Sequence, residues 1–149
     1  HMGEYAVDIM EHLSVKDAVL PGKKVETFPD DLGFEKMLNT MIGSSQQDFP
    51  VVDRDNNLVG MISMVDLRTA MADPSLHKLL IAKDIATNGV MAVTMDDTLN
   101  TALKIMAAVN VQELPVVSKE DPRKIVSIVS RKDITRAYHQ EIERTRSRR

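Results

Sequence analysis

The sequence predicts a mixed α/β (α+β) fold in which one β-α-β-β-α unit occurs twice and packs with pseudo-two-fold symmetry. Two stretches, LVGMISMVD at residues 58–66 and IVSIVSRKD at 125–133, each join an apolar run to a Ser-x-x-Asp step. The Ser and the Asp of the first stretch both recur 67 residues later. Earlier landmarks, including a Pro-Val-Val strand, recur at 65 residues. Because units this short rarely bury a core alone, we expect the two copies to pack sheet against sheet.

The first copy opens with an interrupted helical pattern over residues 5–20, in which Ser14 is placed to cap a short second helix. Pro21-Gly22 ends this segment. A short strand is predicted over 25–28. Asp30-Asp31 then lies at a helix start, where carboxylates interact favourably with the helix dipole. That helix is predicted by apolar side chains with helical spacing, namely Phe34, Met37, Leu38, Met41 and Ile42.

A strand pair and a helix complete the first copy. Residues 49–52 and 58–62 are apolar runs rich in β-branched side chains, and turn-forming residues fill 53–57 between them. The following helix is predicted over 64–72, and Pro74 marks its end.

The second copy repeats this order, with a strand predicted over 90–94 and strands at 114–117 and from 125. The last helix runs from Arg131, with Ile134, Ala137, Tyr138 and Ile142 on one stripe. We therefore divide the chain into a first repeat with its lead-in helix (5–74), a second repeat (75–140) and a basic tail (141–149). The second copy's first helix carries five matching apolar positions, namely Leu99, Ala102, Leu103, Met106 and Ala107.

Composition excludes several classes of function. The net charge of −3 and a basic character limited to the tail argue against nucleic-acid binding. No cysteine is present, so disulfides and thiolate metal sites are excluded, and the four histidines are too scattered to predict a metal site. No apolar run is long enough to span a bilayer. No serine has a matching histidine and acid around it, so we expect the chain not to be an enzyme.

The two strand-to-helix corners are the best candidates for a ligand site. A strand that runs directly into a helix exposes backbone N–H groups at the positive end of the helix dipole, which suits a phosphate. The first corner holds Ser63 and Asp66, and the second holds Ser130 and Asp133. The same spacing also forms a helix capping box, a purely structural interpretation that stays open. Arg131 supplies a cation only at the second corner, which favours that corner for an anionic ligand.

These residues resemble a tandem pair of CBS domains, often called a Bateman module. The resemblance rests on FPVVD at residues 49–53 with LVGMIS at 58–63, and on LPVV at 114–117 with the stretch 125–133. It implies a regulatory module that binds an adenine nucleotide, such as AMP, ADP or ATP, or S-adenosylmethionine. Ser127 departs from the family, which usually has glycine there, as Gly60 is in the first copy.

The resemblance predicts the binding residues. It implies that Asp133 accepts hydrogen bonds from the ribose hydroxyls, that Ser130 and Arg131 contact phosphate, and that Thr87 contacts the base. The first corner, with Ser63 and Asp66, is a second candidate. The second corner is completed by an apolar set consisting of Val90, Met91, Leu114 and Pro115.

The two flanks of the repeat, residues 7–17 and 131–138, resemble the cytoplasmic portion of bacterial ClC-type chloride channels. This resemblance implies a cytoplasmic domain attached to a membrane channel or transporter, and we expect a homodimer. A purely structural dimerisation module without a bound nucleotide is the alternative.

Overall fold

The computed structural model describes residues 3–148, and its strands form two small sheets, one in each copy of the repeat. The strands are β1 (Phe28–Pro29), β2 (Asp48–Val52), β3 (Leu58–Ser63), β4 (Glu113–Val117) and β5 (Ile125–Ser130). In the first sheet, β1 runs parallel to β2, and β2 pairs antiparallel with β3. In the second sheet, β4 pairs antiparallel with β5 in the equivalent register. The mixed α/β fold and its duplication are therefore confirmed.

Helices precede and follow each hairpin in the order that the sequence predicts. The last helix continues to Ser147, so the segment predicted as a basic tail from residue 141 extends this helix, and Arg149 lies outside the described residues. Within residues 3–148, no helix is long and apolar enough to cross a membrane. The helices are α1 (Glu4–His12), α2 (Val15–Ala18), α3 (Phe34–Ile42), α4 (Met64–Met71), α5 (Ala82–Ile85), α6 (Leu99–Val109) and α7 (Arg131–Ser147).

The strand predicted over residues 90–94 does not form. Only Val93 pairs with the second sheet, where its N–H donates to the Pro115 carbonyl (3.1 Å) and its carbonyl accepts from the Val117 N–H (2.8 Å). The Thr94 N–H instead donates to the carboxylate of Asp97 (2.8 Å), which turns the chain away from the sheet. The ladder therefore ends after one residue.

The lead-in of the first copy packs on the second copy. The Val15 N–H donates to the Asp97 carbonyl (2.8 Å), and the Leu99 N–H donates to the Leu13 carbonyl (2.9 Å). Met10, Val15 and Ala18 are buried in a core that otherwise belongs to the second copy. The second copy's contributions to this core are Val93, Leu99, Ala102, Met106, Leu114, Val116, Val129, Ile134 and Ala137.

The lead-in of the second copy packs on the first copy in the same way. The Ala82 N–H donates to the Leu32 carbonyl (2.9 Å), and Ala82 is buried in the first core. This exchange of lead-in segments decides which residues meet at each strand-to-helix corner. The other members of the first core are Phe28, Phe34, Met37, Met41, Phe49, Val51, Ile62 and Leu67.

Ile42, predicted on the buried stripe of α3, is 84% exposed at the end of that helix.

Candidate functional site

The first corner places a carboxylate at the junction of β3 and α4. The Ser63 N–H donates to Asp66 Oδ2 (2.9 Å), and the Asp66 N–H donates to Ser63 Oγ (3.2 Å). Ser63 and Asp66 therefore form a capping box, as the structural interpretation predicts. Among the residues that the structure describes, no hydrogen bond reaches Asp66 Oδ1. This half-buried carboxylate keeps one oxygen for a further donor.

A cavity of about 510 Å³ opens beside this corner and is lined by both copies of the repeat. Its volume is within the range of small-molecule sites, which is roughly 300–1,000 Å³. The first copy contributes the corner itself, and the second copy contributes residues 87, 89–91 and 109–115. We call this cavity the cleft.

Gly60 allows the second copy to approach the cleft closely. The Met61 N–H donates to the Thr87 carbonyl (3.1 Å), and the Thr87 N–H donates to the Met61 carbonyl (2.9 Å). A Cβ atom on Gly60 would lie 2.9 Å from Ala86 Cβ and 3.1 Å from the Thr87 carbonyl oxygen. Glycine at position 60 therefore permits this pairing, which holds Thr87 at the wall of the cleft.

Two acidic residues at equivalent positions connect the copies at the base of the cleft. Asp48 Oδ2 accepts from the N–H groups of Gln112 (3.1 Å) and Glu113 (3.0 Å). In return, Glu113 Oε1 accepts from the N–H groups of Gln47 (2.6 Å) and Asp48 (2.9 Å). Burial raises the pKa of both carboxyls, and it outweighs the opposing effect of these hydrogen bonds. We call this reciprocal arrangement the acid clasp.

The second corner has the same capping box but is closed by cations of the same chain. The Ser130 N–H donates to Asp133 Oδ2 (2.9 Å), which also accepts from Lys23 Nζ. Arg136 Nη2 donates to Asp133 Oδ1 (3.0 Å) and to the Ala18 carbonyl (2.8 Å). Burial acts to raise the pKa of Asp133, but the hydrogen bonds from Lys23 and Ser130 and the charge of Lys23 together hold that pKa below its usual value.

The structure divides the predicted binding residues between these two corners. Seven of them line the cleft, whereas Ser130, Arg131 and Asp133 do not. The single site predicted around Asp133 is therefore not formed, because the exchanged lead-in segments bring residues 87–91 to the first corner. The seven that line the cleft are Ser63, Asp66, Thr87, Val90, Met91, Leu114 and Pro115.

Sequence reasoning missed the acid clasp and the role of Lys23. Asp48 and Glu113 directly precede the two matching strands at the 65-residue offset, so acidic residues at equivalent positions were an available signal. Lys23 occupies the position equivalent to Val90 at the 67-residue offset. No comparable signal connects Lys23 to Asp133, because the contact depends on how the copies pack. No cluster of three or more His, Asp or Glu side chains suited to a metal ion lies within residues 3–148.

Comparison with known proteins agrees with this duplicated architecture. The model of the CBS domain family matches residues 15–73 and again residues 82–140. A CBS domain-containing protein of Dictyostelium discoideum is 31% identical over 125 residues, which cover 77% of this chain and 85% of that protein. Inosine-5'-monophosphate dehydrogenase of Methanocaldococcus jannaschii is 30% identical over 131 residues. That match covers 88% of this chain but only 25% of the enzyme, so the chain spans about a quarter of that relative.

Solved structures share the fold over most of the chain. The CBS domain pair of protein MJ0100, in complex with 5'-methylthioadenosine and S-adenosyl-L-methionine, has a TM-score of 0.70 and 25% identity, and the match covers 86% of this chain and 97% of that one. CBSX2, which was solved in complex with AMP, has a TM-score of 0.72 and 22% identity with the same coverage. CBSX2 is a protein of Arabidopsis thaliana.

Proposed function

The chain belongs to the CBS domain family, with two copies of the domain, and from this premise we propose that it is a regulatory module that binds an adenosine-containing ligand in the cleft. The observation that carries the proposal is the Asp66 carboxylate, which lines a cavity built by both copies and keeps one oxygen unpaired within the described residues. The geometry therefore favours the first corner over the second, where Lys23 and Arg136 already donate hydrogen bonds to the Asp133 carboxylate.

The residues of the cleft suit the two parts of an adenosine. A carboxylate accepts hydrogen bonds from vicinal hydroxyls, so Asp66 is suited to hold the ribose. Met61, Val90 and Leu114 offer apolar surface for the base, and Thr87, whose backbone pairs with Met61, lines the same cleft. Small-molecule sites commonly combine such an apolar lining with a few polar groups.

The ligand class is supported by a structural neighbour. The CBS pair of protein MJ0100 was solved with 5'-methylthioadenosine and S-adenosyl-L-methionine, both of which contain adenosine. The match covers 97% of that CBS pair at 25% identity. The likeness to CBSX2, at 22% identity, supports the fold alone.

Regulation follows from the position of the cleft between the copies. A ligand that contacts both Asp66 and residues 87–91 stabilises one relative arrangement of the copies over others. Such differential binding is the means by which a ligand changes the state of attached machinery. Attachment to a ClC-type channel or another transporter, and the homodimer, stay predictions from the sequence.

Isothermal titration of adenosine derivatives into the wild-type chain and an Asp66→Asn variant tests the proposal. The amide side chain of this variant keeps a carbonyl oxygen for the Ser63 N–H but replaces the second acceptor by an NH₂ group. We expect the wild type to bind and the variant to lose about tenfold or more in affinity, since hydrogen bonds to charged groups contribute about 1.5–3 kcal/mol.

Asp17→Asn is the matched control. Asp17 accepts from the Ser14 N–H (2.8 Å) in an equivalent cap, but it is exposed and does not line the cleft. This variant should bind like the wild type. The proposal is wrong if Asp66→Asn binds as tightly as the wild type, or if no adenosine derivative binds to the folded chain.

A structural module without a ligand is the second candidate, and the closed second corner favours it. Because Lys23 fills one of two equivalent corners, the fold does not need a ligand to satisfy Asp133. This candidate predicts a dimer by light scattering and no rise in melting temperature with any adenosine derivative. A ligand-dependent rise in melting temperature would contradict it.

A further inference from the structure

We propose that the cleft selects adenosine derivatives that carry no phosphate, whether uncharged or cationic, over AMP, ADP and ATP. The inference rests on the proposed function, because it specifies the ligand class of the same cleft. It differs from the sequence prediction of AMP, ADP or ATP, which came from the family resemblance. That ligand was assigned to the second corner because of Arg131, a cation that does not line the cleft.

The charged side chains that line the cleft are mostly acidic. They are the carboxylates of Asp48, Asp66 and Glu113 and the guanidinium of Arg68. Arg68 is exposed, whereas Asp48 and Glu113 are buried. Burial raises the pKa of Asp48, and the negative charge of Asp66 raises it further, so these acids already repel one another. A phosphate would add negative charge to this group.

The backbone donors at the base of the cleft are already used. The N–H groups of Gln47 and Asp48 donate to Glu113 Oε1, and those of Gln112 and Glu113 donate to Asp48 Oδ2. Neighbouring N–H groups of this kind are the donors that bind anions in many proteins. In this protein, the anions that accept hydrogen bonds from these N–H groups are the two carboxylates of the acid clasp. These four N–H groups are therefore not available to a phosphate.

The first turn of α4, at the first corner, contains no cation either. The first turn of α4 begins Met64-Val65, where α7 begins Arg131-Lys132. The N–H of Asp66 is taken by Ser63 Oγ, and the Asp66 carboxylate itself already interacts with the positive end of α4. A ribose is compatible with this arrangement because it donates hydroxyls to a carboxylate. A phosphate beside that carboxylate is repelled.

Isothermal titration of the full chain with adenosine, AMP, ATP and S-adenosylmethionine tests the inference. Adenosine has no charge, and S-adenosylmethionine carries a sulfonium cation and no phosphate. We expect the affinity for adenosine to be at least about tenfold higher than that for AMP, because like charges held close together repel, and ATP should bind more weakly still. S-adenosylmethionine should bind at least as tightly as adenosine. Added salt should reduce the difference in affinity between adenosine and AMP.

Tighter binding of AMP or ATP than of adenosine would overturn the inference while leaving the proposed function intact. If no adenosine derivative binds, the proposed function itself fails, so the two failures are distinguishable.

A charge-removing variant provides an independent arm. Glu113→Gln keeps an acceptor oxygen for the N–H groups of Gln47 and Asp48 but removes one negative charge from the cleft. We expect the AMP affinity to rise several-fold relative to the adenosine affinity. Asp96→Asn, which removes an exposed carboxylate that does not line the cleft, should leave this ratio unchanged. An equal ratio in wild type and Glu113→Gln would count against the inference.

Discussion

The first and second corners of this protein share a capping motif and differ in what meets it from the opposite copy. At the first corner, Asp66 and residues 87 and 89–91 line a cleft of about 510 Å³. At the second corner, Lys23 and Arg136 both bind Asp133, whose side chain is only 9% exposed. One corner is open to a ligand, and the other is closed by the chain itself.

Three pairs of equivalent positions differ between the two corners. Lys23 corresponds to Val90 and Arg136 to Thr69, so the two cations of the second corner have uncharged counterparts at the first. Gly60 corresponds to the buried Ser127. The comparison shows that the Ser-x-x-Asp motif defines a helix start, whereas the segment packed opposite decides whether a site forms.

The largest expected effect distinguishes the two aspartates by stability. Asp133→Ala leaves Lys23 without its carboxylate partner and Arg136 with only the Ala18 carbonyl, and we expect it to lower the free energy of unfolding by about 3 kcal/mol. Asp66→Ala removes only a cap, which costs about 1 kcal/mol. Urea unfolding followed by circular dichroism measures both. Equal losses would mean that Lys23 and Arg136 do not stabilise the second corner.

Local features of the fold were predictable from the sequence. The repeat, both hairpins and the caps at Ser63 and Ser130 depend on spacing and on neighbours within a few residues, and they are confirmed. The CBS resemblance is likewise confirmed. The predicted strand over 90–94 is wrong because apolar composition does not reveal that Thr94 turns toward Asp97.

Which residues meet at each corner could not be predicted from local sequence patterns. It depends on each lead-in segment crossing to the other copy, and contacts such as Lys23 with Asp133 join residues that are 110 positions apart. The cation Arg131 pointed to the second corner, but its local charge carries no information about which segment packs opposite. The sequence shows acidic residues at the equivalent positions 48 and 113, but it does not show their pairing, because each carboxylate binds backbone of the other copy.

A smaller effect is expected when the glycine of the open corner is replaced by its counterpart. Gly60→Ser introduces a Cβ atom 2.9 Å from Ala86 Cβ and 3.1 Å from the Thr87 carbonyl oxygen. The segment must move, so we expect a loss of about 1–2 kcal/mol in unfolding free energy and weaker ligand binding. Ser127→Gly is the matched control and should leave binding unchanged. Wild-type stability and binding in Gly60→Ser would show that this close approach does not shape the cleft.

The smallest expected effect is a difference in pH dependence between the second corner and the acid clasp. The pKa of Asp133 is lowered by folding, so its contribution to stability is present above the ordinary carboxyl pKa and is lost as pH falls through the lowered pKa. The pKa values of Asp48 and Glu113 are raised. Their contribution is therefore greatest below the ordinary carboxyl pKa and is lost as pH rises through the raised values.

Unfolding free energies measured in urea across the acidic range separate these opposite signs. Relative to Asp133→Asn, the wild type should gain stability as pH rises from below the ordinary carboxyl pKa. Relative to a double variant with Asp48→Asn and Glu113→Gln, it should lose stability over the window that begins at that pKa and extends upward. The amides keep acceptor oxygens for the four backbone N–H groups, so the comparison isolates charge from hydrogen bonding. Parallel pH profiles for the wild type and the double variant would show that folding does not raise the pKa values of the two clasp carboxyls.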